Sequence, residues 1–355
     1  MSTMLEWSSI RGHQRVKQVL ERAVSINRVH HALLFAGPDG VGKASLALAL
    51  AASINCHNRA EDEFRPACGK CPSCRKIWQG IHPDIMIVEP QGNVIKTIKI
   101  AQIREIQKSS MTAPYEARER VILIRDAHKM GAEAANALLK TLEEPTSRMR
   151  MILTTDQAHL LLDTIRSRCQ LIRFGALERD DVRELLAQCV RADKSLTATQ
   201  ASMDVASGFG EGSVGRALEI LASGLLEGRA EIIDKLKSLR PRHPADYLSW
   251  AEELARDKKK KGALNEVLDI IKVFLRDVMR YRVSANHERT INTDMVREIE
   301  RWARAMTLEE IIAAIETLNN AQELLARNVN AQLVMERALR SLQPNEHQSS
   351  SLHMR

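Results

Sequence analysis

The sequence predicts an α/β fold in its N-terminal half, followed by an all-helical remainder. Three observations carry this. Short apolar runs alternate with helical patterns up to about Phe174; a Gly-rich loop follows one of those runs and opens a helix; and strand signals fade beyond that point. Strands separated by helices imply a parallel sheet covered on both faces. At ~100–200 residues per domain, two or three domains are expected from 355 residues.

The elements follow in order. His31–Ala36 (HALLFA) reads as a buried strand that runs into the Gly-rich turn and then the Ala/Leu helix Ala44–Ile54. Asp84–Glu89, Val121–Arg125 and Met151–Thr155 read as further strands. Ala135, Leu138, Leu139 and Leu142 lie at helical spacing within Ala132–Leu142, and Pro145 stops that helix. Glu178–Ala192 reads as an amphipathic helix. Ala201–Ser207 and Val214–Ser223 are helical, split by the turn Gly208–Gly212. From about Arg229 to Leu342 the pattern is helical, with Ile311, Ile315, Leu318 and Leu325 in one apolar stripe. Lys258–Lys261 is a basic run, and the polar tail, 343–355, is predicted to be disordered.

Composition narrows the function classes. No run approaches the ~18 apolar residues of a membrane span, and Met1 to Ile10 lacks the basic-then-apolar pattern of a signal peptide. A cytoplasmic location is expected. The net charge of +7 favours acidic partners such as nucleic acid. Aromatics make up only 3%, so base stacking has few platforms and backbone contact is the expected mode if DNA is touched.

Gly37-Pro-Asp-Gly40-Val-Gly42-Lys43 stands between a strand and a helix, the setting of a phosphate-binding loop. Backbone N–H groups at the helix start would cradle phosphates, and Lys43 would reach the terminal ones. The hydroxyl residue that normally follows the lysine, and binds Mg²⁺, is Ala44 here. Ser45, about 100° further round the helix, is expected to point elsewhere. Asp126 closes the strand Val121–Arg125 and can hold Mg²⁺ through water, but the residue after it is Ala127, where ATPases of this class carry a Glu that polarises water. Phosphoryl transfer relies on positioning and charge stabilisation. A site lacking both groups is expected to hydrolyse poorly or not at all, with ATP binding weak or vestigial, or to be a loop kept for its shape.

Of the six cysteines, Cys56, Cys68, Cys71 and Cys74 cluster, while Cys169 and Cys189 stand alone. Four thiolates at this spacing are enough for a closed tetrahedral Zn²⁺ site. Redox CxxC chemistry is the competing reading. With no open position or nearby base evident, a structural role is expected.

These residues converge on one family. GPDGVGK (37–43), the four-cysteine insertion, HPD (82–84), NALLKTLEEP (136–145), TT (154–155), IRSRCQ (165–170) and NVNAQLVMERAL (328–339) occur together and in order. The chain resembles the clamp-loader subunits of bacterial DNA polymerase III, delta-prime and gamma/tau. The altered nucleotide motifs and the lack of a long C-terminal extension favour the delta-prime type. The resemblance implies a RecA-like AAA-plus module with a zinc insertion (1–174, cysteines at 56–74), a small helical lid (175–237) and a helical collar (238–342) that joins subunits into a ring. That ring loads the sliding clamp on primer–template DNA. Partners would be gamma/tau- and delta-type subunits, with clamp and DNA engaged through the complex.

The resemblance also implies roles for single residues. Arg168, in Ser167-Arg168-Cys169, would reach across an interface to ATP held by a neighbour. A guanidinium fork matches phosphate oxygens and stabilises developing charge. Thr155 sits where the family senses nucleotide at a strand end. Arg216 lies near the lid's sensor position, where a helix-surface arginine explains it equally well. An accessory polymerase subunit without productive ATPase is expected. The rival readings are a working gamma/tau-type ATPase, a zinc-dependent DNA-binding regulator and an archaeal or eukaryotic small clamp-loader subunit.

Overall fold

The computed structural model describes all residues except 1–6, 60–62, 93–95, 146–147, 194–195, 197, 224, 240–242, 257–262, 287–289, 293–294, 328 and 344–355. The basic run Lys258–Lys261 and nearly all of the polar tail lie outside the described residues.

The first part of the chain runs α1 (Gln14–Ser25), β1 (Ala32–Ala36), α2 (Lys43–Ile54), α3 (Pro72–Gln79), β2 (Ile85–Val88), α4 (Ile100–Ser110), β3 (Arg120–Ile124), α5 (Ala132–Glu143), β4 (Met149–Thr155), α6 (Asp163–Arg166), β5 (Gln170–Arg173) and α7 (Arg179–Ala192). The strands form one five-stranded sheet in the order β2-β3-β4-β1-β5, parallel throughout. Registers such as Ala36 opposite Thr155 and Ile124 opposite Leu153 bring the carboxyl ends of β1, β3 and β4 to one edge. Ligands of parallel sheets bind at that edge.

Alternation along the strands builds two cores. Leu33, Phe35, Val121, Leu123 and Ile152 face α1 and α2, packing on Leu20, Leu46 and Leu50. Ala32, Leu34, Ile122, Ile124, Met151 and Leu153 face the opposite layer with Ile103, Ile106, Leu138 and Leu142. Near-continuous apolar strands are what a sheet buried on both faces requires.

Five elements of the first part were not read from sequence, the four-residue α6 among them. β5 has a single buried residue, Ile172, and exposes the rest, so it carries no apolar run. α1 buries Val16, Leu20 and Val24 at helical spacing. α4 does the same with Ile103 and Ile106. α3 is eight residues, started by Cys71 as N-cap with Pro72 at its first position.

Beyond α7 come α8 (Gln200–Phe209), α9 (Val214–Ala222), α10 (Leu225–Ser238), α11 (Pro244–Arg256), α12 (Ala263–Ser284), α13 (Val296–Ala305), α14 (Leu308–Ala326) and α15 (Ala331–Arg340). α8 continues through Gly208, where a turn was expected. A side chain there would collide with Ile291, so glycine serves close packing inside the helix. The chain divides into two compact units, Met1–Thr197 with Gly210–Leu218, and Ala198–Phe209 with Glu219–Arg355.

The second unit has its own core around Tyr247, Trp250, Phe274, Trp302, Met335 and Leu339, into which Ile233 and Leu236 of α10 also pack. Ile311 and Leu318 are fully buried in it, and Ile315 and Leu325 pack against it. The apolar stripe is thus covered within its own unit. α14 is opened by a capping box between Thr307 and Glu310. Among the described residues, no helix is long and apolar enough to cross a membrane.

Candidate nucleotide and metal sites

The phosphate loop joins β1 to α2 at the carboxyl edge of the sheet. A cavity of about 280 Å³ opens beside it. That is just under the ~300–1,000 Å³ of typical small-molecule pockets. Gly40, Gly42, Lys43, Arg125, Asp126 and Thr154 line one part of it, and Ile10, Val41, Leu185, Cys189 and Leu218 give it apolar walls.

Its polar groups are already engaged. The Lys43 ammonium donates to the carbonyls of Gly37, at 2.8 Å, and Pro38, at 2.6 Å. Burial pulls its pKa below the ordinary lysine value, against the carboxylates of Asp39, Asp156 and Asp126. The Asp39 carboxylate accepts the Gly40 N–H at 2.8 Å. The Gly40 carbonyl accepts the N–H groups of Val214 and Gly215, both at 3.1 Å. Gly40 has φ +68°, and a Cβ there would lie 2.3 Å from Ser213 Oγ and 2.9 Å from Gly215 Cα, so the tip of the loop is pinned against the start of α9.

Asp126 adopts a left-handed conformation, φ 49°, at the end of β3. Its carboxylate pairs with Lys129 at 3.1 Å. The next residue, Ala127, is fully buried. Ala44 and Ser45 both line the cavity.

The cavity lining holds neither sensor candidate. Thr154, not Thr155, lines the cavity, and its hydroxyl accepts the Asp126 N–H at 3.4 Å. Thr155 points to the other face of the sheet, where its hydroxyl accepts the Gln157 N–H and meets His128 Nδ1 at 3.1 Å. Strand alternation separates the two, since Thr154 shares a face with Ile152. Arg216 is absent from the cavity wall and pairs with Glu211 at 3.4 Å.

Arg168 lies just past α6, away from this cavity. It pairs with Glu143 at 2.7 Å, with about a third of its side chain exposed.

The four clustered cysteines converge. Their sulfurs all lie within 4.8 Å of one another, with Cys56 and Cys74 buried. A tetrahedral site with Zn–S bonds of ~2.3 Å places sulfurs ~3.8 Å apart. Backbone N–H groups donate to three of the sulfurs: Cys68 to Cys56 and Cys71 to Cys68, both at 3.4 Å, and Cys74 to Cys71 at 3.5 Å. Burial raises the Cys68 thiol, but N–H groups of Lys70 and Cys71 and the neighbouring thiols bring it down to about 6. Burial pushes the Cys56 and Cys74 thiols the other way, upward. The convergence of four sulfurs is what fits a metal ion. Gly69, φ +70°, must lack a side chain because Trp78 covers it. In the HPD segment, His82 touches the module and Asp84 holds the loop before β3. His82 meets Ser73 Oγ at 3.3 Å, and Asp84 accepts the N–H groups of Tyr115, Glu116 and Ala117.

A parallel sheet with a phosphate loop after β1, an acidic residue closing β3 and a helical extension defines a RecA-like AAA-type module. The family models described as "DNA polymerase III, delta subunit" and "DNA polymerase III, delta subunit, C terminal" match residues 12–178 and 223–343. The chain is 30% identical to DNA polymerase III subunit delta' of Bacillus subtilis over 96% of this chain and 99% of that one. It is 28% identical to the delta' subunit of Haemophilus influenzae, over 86% of this chain and 88% of that one. It is 27% identical to the tau subunit of Bacillus subtilis, over 96% of this chain but only 62% of that one. The chain belongs to the family of DNA polymerase III delta-prime subunits.

Proposed function

We propose that this chain is a delta-prime-type subunit of a clamp-loader complex, acting in the cytoplasm. It helps to load the sliding clamp on primed DNA beside gamma/tau- and delta-type subunits. It turns over little or no ATP itself and lends Arg168 to a neighbour's site, while zinc on Cys56, Cys68, Cys71 and Cys74 stabilises the module. Gly37, Gly40, Gly42, Lys43 and Asp126 are what is left of its own nucleotide site.

The observation that carries the hydrolysis-deficient reading is Ala127. A buried methyl stands where a carboxylate is needed to polarise water, and the carboxylates in the cavity wall, Asp39 and Asp126, already accept bonds from Gly40 and Lys129. The alternative is an active gamma/tau-type ATPase, and Ser45 in the cavity wall is the observation that favours it. A steady-state assay on the purified chain separates them. The expected rate is indistinguishable from background; a robust rate abolished by Lys43→Ala would establish the ATPase.

Assembly through the C-terminal helices, roughly 238–342, belongs to the same reading, as does the division into 1–174, 175–237 and 238–342. Because Ile233 and Leu236 pack into the C-terminal core, the truncation that tests it ends before α10. A chain ending at residue 222 should fail to join the complex in size-exclusion or pull-down experiments. Full-affinity assembly of that fragment would remove the collar assignment.

A further inference from the structure

Arg168 is not simply a solvated side chain. Its Nη2 meets Glu143 Oε1 at 2.7 Å, and its Nη1 donates to the Thr164 carbonyl at 2.9 Å. Glu143 is the last residue of α5, and Arg168 follows α6 by two positions. Their neighbours Leu142, Ile165 and Cys169 are all buried in one core cluster. The backbone at both positions is therefore fixed by packing. The long arginine side chain still carries large rotamer freedom, and the two bonds restrict it. A guanidinium has five N–H groups. One is committed to Thr164 and the Glu143 carboxylate lies beside another, so the rest stay available on a side chain that is 36% exposed.

We infer that Glu143 is a positioning residue for Arg168: its carboxylate holds the guanidinium extended so that the uncommitted N–H groups meet phosphate oxygens of a nucleotide on the neighbouring subunit. This rests on the reading of Arg168 as an arginine supplied in trans. The pair costs the arginine none of its charge, and it replaces a search among rotamers by one preset geometry, as supporting contacts do for a preorganised site.

The test is ATP turnover by the reconstituted complex, with clamp and primed DNA, carrying variants in this subunit alone. Arg168→Ala sets the full loss. Glu143→Gln, which keeps the shape and removes the charge, should lower kcat by about two- to fivefold, the weight of an exposed ion pair. The KM for ATP should be unchanged, because the contact matters in the transition state. Glu143→Ala should repeat the loss. The double variant Glu143→Gln/Arg168→Ala should match Arg168→Ala alone, because Glu143 acts only through the arginine. Thermal midpoint and assembly should not move. Wild-type turnover in Glu143→Gln beside a slowed Arg168→Ala overturns this inference and leaves the finger standing. Losses that multiply in the double variant, or turnover above wild type in Glu143→Gln, overturn it as well. Wild-type turnover in Arg168→Ala overturns the finger reading, and the inference with it.

Discussion

Replacing Cys71 by serine is expected to strip zinc from the chain and to unfold much of the N-terminal unit at physiological temperature. Wild-type protein should carry one zinc, because four thiolates close a tetrahedral site. Structural zinc sites bind with about 10–16 kcal/mol of apparent free energy that is also folding free energy. The whole net stability of a domain is only ~5–15 kcal/mol. Even partial loss should lower the melting temperature by roughly 10 °C or more, at ~2–4 °C per kcal/mol for a unit of this size.

The damage should spread beyond the module. Cys56 lies two residues past α2, whose Ser53 accepts the Ala67 N–H, and Asn55 between them exchanges hydrogen bonds with Glu119 at the entry to β3. Metal analysis and calorimetry of the wild type and the Cys71→Ser chain decide the matter. Substoichiometric zinc in both, with coincident melting, would sink the assignment.

In a reconstituted complex carrying Arg168→Ala in this subunit only, ATP turnover and clamp loading should fall while folding and assembly stay intact. Arginines supplied in trans to GTPases are worth on the order of 10³–10⁵ in rate. The loss here should be smaller, since other subunits keep their own arginines. Arg168→Lys should restore little, because a point charge cannot reproduce the planar fork. The ion pair with Glu143 is itself too exposed for its loss to unfold the chain, such pairs being worth ~0–1 kcal/mol. Wild-type rates would leave Arg168 as a surface charge. Loss of assembly would mark it as structural.

How legible each part was depended on the range of the interactions that define it. The phosphate loop and the cysteine module are short segments whose residue types and spacing dictate their chemistry, so both were readable. β1, β3 and β4 were readable because a strand buried on both faces is apolar throughout. β5 was not: an edge strand with one buried residue, Ile172, has no apolar run to reveal it. The boundary between Thr154 and Thr155 was open to inspection, since alternation from Ile152 puts Thr154 on the cavity face.

By itself the sequence determined the class of fold, the cysteine cluster, the altered residues at 44 and 127, and the family, because each is written in local pattern or fixed spacing. Only the tertiary structure decided which groups meet across the chain. Gly40 is pinned by Val214 and Gly215, Lys43 is folded onto its own loop, Arg216 is paired with Glu211 rather than set in the cavity wall, and Arg168 is held by Glu143. Each of these is a side-chain or backbone polar group choosing among several partners of similar strength. Spacing cannot rank such partners; the packing of the elements that carry them does.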